Sequence, residues 1–84
     1  MTMSVTIFEK DGKKTSLCMD HFRSTFLGTV LGDGVVIMGC DGDKHIIPSV
    51  STQAFGKAVR QAMEVQGGVN IDLSRRTVAA CRVH

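Results

Sequence analysis

The chain has 84 residues, of which 43% are hydrophobic and 21% are charged. This length suits one small domain covering residues 1–84, and this composition is too apolar for intrinsic disorder and too interrupted by polar residues for a membrane span. The net charge of +2 is too small to indicate a nucleic-acid partner by itself, because acidic and basic residues alternate along the chain.

The N-terminus and the cysteines give the sequence-based indications of where in the cell the protein is located. The opening Met-Thr-Met-Ser lacks the basic start and apolar stretch of a signal peptide. Cys18, Cys40 and Cys81 show no Cys-x-x-Cys spacing, and each lies in an apolar stretch, so we expect buried, reduced thiols. The sequence therefore predicts a cytoplasmic protein without a disulfide framework, a metal site or a membrane contact.

The first half of the chain reads as short strands. Residues 4–9 and 14–19 alternate around Asp11-Gly12, which predicts a β-hairpin because Asp-Gly readily adopts the positive φ of a tight turn. Residues 20–27 fit either one helical turn capped by Asp20 or extended chain. A second hairpin is expected from residues 28–32 and 35–40, and a short strand over 44–47 must end at Pro48.

Residues 51–66 form the one segment with helical periodicity. Its predicted buried face is Phe55, Ala58, Val59, Ala62 and Met63. Ser49, Ser51 or Thr52 is expected to cap the start, and Gly67-Gly68 the end. Gly56 costs a helix about 1 kcal/mol relative to alanine, which predicts a strand passing close to the backbone there.

A third hairpin is expected from residues 69–73 and 77–83. The predicted fold is α+β: a largely antiparallel sheet built from three hairpins, with the amphipathic helix packed across it. The last strand carries apolar side chains on both faces, which favours either an inner position or a homodimer that covers it.

Two groups of residues could carry chemistry. Asp41, Asp43 and His45, next to Cys40, have the side chains of metal ligands but lack the spacing of a known calcium loop, so we interpret them as a solvated turn. Cys18 and His21 are close enough to suggest a nucleophile and its base, but no residue is evidently placed to orient the imidazole. We therefore expect no enzyme activity and no cofactor.

The remaining candidates are surface cations, interpreted as partner-binding residues: Lys57, Arg60, Arg75, Arg76 and Arg82. The leading hypothesis is a non-catalytic protein-binding module that inhibits or regulates a larger partner, a type of protein often made by phages and mobile elements. The alternative is a nucleic-acid-binding regulator that uses the helix 51–66 and the Arg75-Arg76 turn. Tyr and Trp are absent, so the aromatic platforms common at such sites are few.

Overall fold

A computed structural model describes residues 2–82, which form a six-stranded sheet and one helix. The elements are β1 Met3–Phe8, β2 Lys14–Phe26, β3 Asp33–Gly39, β4 Lys44–Pro48, α1 Thr52–Glu64, β5 Gly68–Asp72 and β6 Thr77–Cys81. The strand order is β4-β3-β2-β1-β5-β6, and only β1 and β5 are parallel. The predicted α+β fold with a mostly antiparallel sheet is confirmed, but the sheet is mixed.

The long strand β2 joins two half-sheets. It pairs with β1 through Met19 and with β3 from Met19 onward, and a bulge lies between Met19 and His21. The extended alternative for residues 20–27 is therefore correct. The predicted strand at 28–31 is wrong: this segment is the β2–β3 turn, because Gly28 (φ 99°) and Gly32 (φ 70°) take left-handed conformations that a strand excludes.

The predicted turns at Asp11-Gly12 and Asp41-Gly42 are present, but the Asp-Gly turn expected around residues 32–34 is wrong, because Asp33 and Gly34 begin β3 and pair with β2. Asp11 and Asp41 play the same part, since each accepts a hydrogen bond through Oδ1 from the backbone N–H two residues later, at 2.9 and 3.0 Å. The following glycines, Gly12 and Gly42, both have φ of 89°. The first and last predicted hairpins, β1–β2 and β5–β6, are present.

The core lies between α1 and one face of the sheet. Ser51 is the N-cap, and its Oγ accepts from the Ala54 N–H at 3.0 Å. Phe55 is fully buried and packs edge to face against Phe22, with ring centroids 4.7 Å apart. Met63 was expected on the buried face but is 52% exposed. The largest fully buried side chains are Val5, Met19, Val35, Ile37, Phe55, Val69 and Ile71.

The end of α1 differs from the predicted glycine cap. Gln66, with φ 53°, takes the left-handed position, its N–H donates to the Met63 carbonyl at 3.3 Å, and the Gly67 N–H donates to the Ala62 carbonyl at 2.8 Å. This is a Schellman motif one residue earlier than expected. Gly67 is needed for a different reason: a Cβ there would overlap the carbonyl oxygen of Cys81.

Candidate functional site

The β2–β3 hairpin ends in an exposed apolar surface, which we call the hairpin tip (residues 26–32). Phe26, Val30 and Leu31 are 65%, 95% and 55% exposed. Residues 24–32 contain no charged side chain. Turns of this kind usually carry polar residues, so three large apolar side chains at one turn form an unusual surface.

Backbone hydrogen bonds close the loop at the hairpin tip. The Leu27 N–H donates to the Gly32 carbonyl and the Gly32 N–H to the Gly28 carbonyl, both at 2.8 Å. Leu27 is half-buried, and its Cδ1 lies against Gly34, where a Cβ would be only 2.9 Å away. The tip therefore has a defined conformation before any partner binds.

A second concave surface, which we call the strand-edge cleft, lies where β2 and the β3–β4 turn diverge. Its volume is about 360 Å³. Its lining residues are Thr15, Ser16, Leu17 and Cys18 on the β2 side, with Cys40, Asp41, Asp43 and His45 on the other.

The cluster around Cys40 forms one wall of this cleft. Asp41 Oδ1 is engaged by the Asp43 N–H, as in an ordinary Asx turn. Within residues 2–82, no group of three or more His, Cys, Asp or Glu side chains is arranged to hold a metal ion. The structure therefore places Cys40, Asp41 and Asp43 in an exposed turn beside the cleft, whereas His45 is a half-buried residue of β4.

The cysteine prediction is wrong for two of the three residues. Cys18 and Cys40 are exposed and form a disulfide, with Cα atoms 5.6 Å apart. They meet because β2 continues past Asp20 and pairs with β3, and the Cys40 N–H donates to the Cys18 carbonyl at 2.9 Å. Cys81 is a free thiol that donates to Asn70 Oδ1 at 3.4 Å. The disulfide removes the free-thiol argument for a cytoplasmic location.

The disulfide also affects Cys18 as a candidate nucleophile. The sulfur of Cys18 is bonded to Cys40, so it is not a thiol in this state. An acid does contact the imidazole, contrary to expectation: Asp20 Oδ2 lies 2.9 Å from His21 Nδ1. The bulge explains this contact, because an extra residue lets two neighbours share one side of the strand.

The predicted partner-binding cations are all exposed but lie in separate places. Lys57 and Arg60 are on the outer face of α1. Arg75 and Arg76 lie in the β5–β6 turn, whereas Arg82 follows Cys81 at the opposite end of that ladder. Arg76 instead lies near Lys10, and both line a small concavity of about 50 Å³.

No helix among residues 2–82 is both long enough and apolar enough to cross a membrane. Comparison of the chain with protein-family models, curated proteins and solved structures found no match.

The sequence pattern did not reveal either surface. Val30 and Leu31 looked like strand residues, and only the positive φ of the flanking glycines places them in a turn. The cleft depends on where β3 stops pairing with β2, which residue types do not specify. The sequence did not indicate that β2 continues through residues 20–26. This continuous strand pairs with β3 and brings Cys40 next to Cys18.

Proposed function

We propose that this protein is a non-catalytic protein-binding module that inhibits or regulates a larger partner, and that it inserts its hairpin tip into an apolar pocket of that partner. The observation that carries the proposal is the exposure of Phe26, Val30 and Leu31 on one closed turn. The same proposal includes the hypothesis that the protein is an inhibitor made by a phage or another mobile element.

The shape and chemistry of the tip favour a concave, uncharged receptor. A hairpin end is convex, so it fits into a pocket better than against a flat surface or against a second convex tip. Burying three large side chains supplies the apolar centre that protein interfaces use as an energetic anchor. The two loop hydrogen bonds reduce the conformational entropy lost on binding.

The test compares tip variants with a matched apolar position elsewhere. Val30→Ser and Leu31→Ser remove exposed apolar area at the tip, and Met63→Ser removes similar area from the helix. Because none of the three side chains is buried, the melting temperature should change little. Each protein would be used to capture partners from lysate of its native cell, with quantitative mass spectrometry.

A partner retained by wild type and Met63→Ser but lost with both tip variants supports the proposal. A photo-crosslinker at Val30 should then join to that same partner. Equal recovery with all three variants, or crosslinks only between copies of this chain, would contradict it.

Nucleic-acid binding through α1 and the Arg75-Arg76 turn remains the alternative prediction. The proximity of Arg76 to Lys10 is the observation that favours it. Retention on heparin that falls steeply with salt, and that is lost in Arg75→Gln/Arg76→Gln, would support it.

A further inference from the structure

The strand-edge cleft contains an unpaired strand edge. Pairing of β2 with β3 begins at Met19, opposite Gly39. Beyond it, the Cys40 N–H donates to the Cys18 carbonyl and the chain then turns away through residues 41–43. Residues 14–17 therefore have β1 on one side and no described strand on the other.

Two hydrogen bonds, one on the β3 side of β2 and one on its β1 side, indicate which backbone groups of β2 face the cleft. The Cys18 carbonyl points toward β3, and in an antiparallel strand alternate residues direct their N–H and C=O groups to the same side. The backbone groups of Ser16 and Lys14 therefore point away from β1, to the side of β2 on which the cleft lies, and those of Leu17 point to β1. The Glu9 N–H, which donates to the Lys13 carbonyl at 2.8 Å, agrees with this alternation.

The opposite wall carries negative charge. Asp41 and Asp43 are exposed, and the hydrogen bond within the turn engages only one of their four carboxylate oxygens among the described residues. His45 completes this wall. Two cations are near: Lys14 on β2 itself, and Lys44, which lines the neighbouring concavity. The lining of the cleft itself contains two acids and no Lys or Arg.

We propose that the strand-edge cleft binds an extended segment of a partner protein, which adds to β2 as a strand and directs a Lys or Arg side chain at Asp41 and Asp43. Backbone hydrogen bonds to Lys14 and Ser16 supply affinity that is independent of sequence, and the two carboxylates supply the preference for a basic residue. The Cys18–Cys40 disulfide ties the two walls together where they diverge.

This inference rests on the proposed protein-binding function, but it concerns a different surface. The tip lies beyond Asp33 at the start of β3, and the cleft adjoins Cys40 just past its end. The two surfaces are therefore separated by the length of β3 and can be disrupted independently.

The test uses a display library of random linear ten-residue peptides, selected on the oxidised protein. Selected peptides should alternate in apolar character and be enriched in Lys or Arg. A synthetic copy of a selected peptide should slow amide hydrogen exchange at Lys14 and Ser16 and leave residues 27–32 unchanged.

Three variants locate the site. Ser16→Pro removes the N–H that faces the cleft without removing an N–H that donates to β1, and it should abolish peptide binding. Asp41→Asn/Asp43→Asn keeps an oxygen for the Asx turn and removes both charges, so affinity should fall roughly fivefold or more at low salt. Asp11→Asn is the matched control, because Asp11 makes the same turn contact away from the cleft.

Several outcomes overturn the inference: a library that yields no binder, selected peptides without basic residues, protection confined to the tip, or equal effects of the Asp11 and Asp41/Asp43 variants. Because the Asp variants keep the turn contact, they remain informative if Ser16→Pro fails to fold. Val30→Ser should leave peptide binding unchanged. If the tip variants capture partners as well as wild type does while peptide binding is intact, the tip proposal alone is removed. If capture depends on the tip but no peptide binds the cleft, the cleft proposal alone is removed.

Discussion

Gly56 lies inside α1, and a side chain there would have space. A Cβ would meet only the Cζ atom of Phe22, at 3.8 Å, which is an ordinary van der Waals contact. The strand backbone expected from the sequence to approach this point is absent among residues 2–82. An aromatic ring lies there instead, so the glycine is not needed for close backbone packing.

We predict that Gly56→Ala raises the free energy of unfolding by about 1 kcal/mol, because alanine restricts the unfolded chain and is the better helix former. Chemical denaturation at fixed temperature measures this. Gly67→Ala provides the contrast: its Cβ would overlap the Cys81 carbonyl, so it should destabilise strongly. If Gly56→Ala lowers the free energy of unfolding, α1 lies closer to the sheet than the 3.8 Å between this Cβ and Phe22 Cζ implies.

The helix α1 packs against the sheet through Phe55 and stabilises the core there. This ring is fully buried against Phe22, and the helix has no other aromatic side chain. Phe55→Ala should lower the free energy of unfolding by about 3 to 5 kcal/mol, since it leaves a cavity as well as losing apolar burial. Met63→Ala, on the exposed side of the same helix, is the control and should cost little. Similar thermal midpoints for the two variants would refute the assigned buried face.

The disulfide joins β2 to the end of β3. Before reduction, a thiol reagent should modify one cysteine, Cys81, and after reduction all three. Replacing both Cys18 and Cys40 by serine should lower stability by about 3 kcal/mol, because the bridge closes a loop of 22 residues in the unfolded chain. Mass spectrometry of the alkylated protein provides the count; three reactive thiols before reduction would contradict the pairing.

Most local elements and the hairpins β1–β2 and β5–β6 were predictable from local chemistry, whereas the pairings between segments distant in sequence were not. Asp11-Gly12, Ser51 and the periodicity of residues 54–62 located a turn, a cap and a helix, because each signal acts within a few residues. The parallel pairing of β1 with β5 and the meeting of Cys18 with Cys40 depend on long-range packing. The strand-edge cleft depends on how far β2 pairs with β3, and the hairpin tip depends on the positive φ of Gly28 and Gly32, so the sequence pointed to surface cations instead.

For the whole molecule, β6 is an edge strand. Val78 and Ala80 pack on the core, and Thr77 and Ala79 are exposed on the other face. An inner position therefore does not explain its apolar character, and the homodimer stays a prediction. Sedimentation equilibrium at micromolar concentration should show twice the mass of one chain, and Ala79→Lys should shift it toward the monomer. A single-chain mass for wild type would contradict the dimer.

The pairing of Val5 with Val69 also has a consequence for how the protein is made on the ribosome. β1, at residues 3–8, needs its neighbour β5, at residues 68–72, so one edge of β1 stays unpaired until β5 has been made. We expect a nascent chain stalled with residues 1–67 outside the exit tunnel to be cut rapidly by protease, and one stalled after β6 has emerged to resist cleavage. Assembly of this small sheet would then wait until residues 68–81 have left the ribosome, and the apolar hairpin tip would be translated well before the core that supports it.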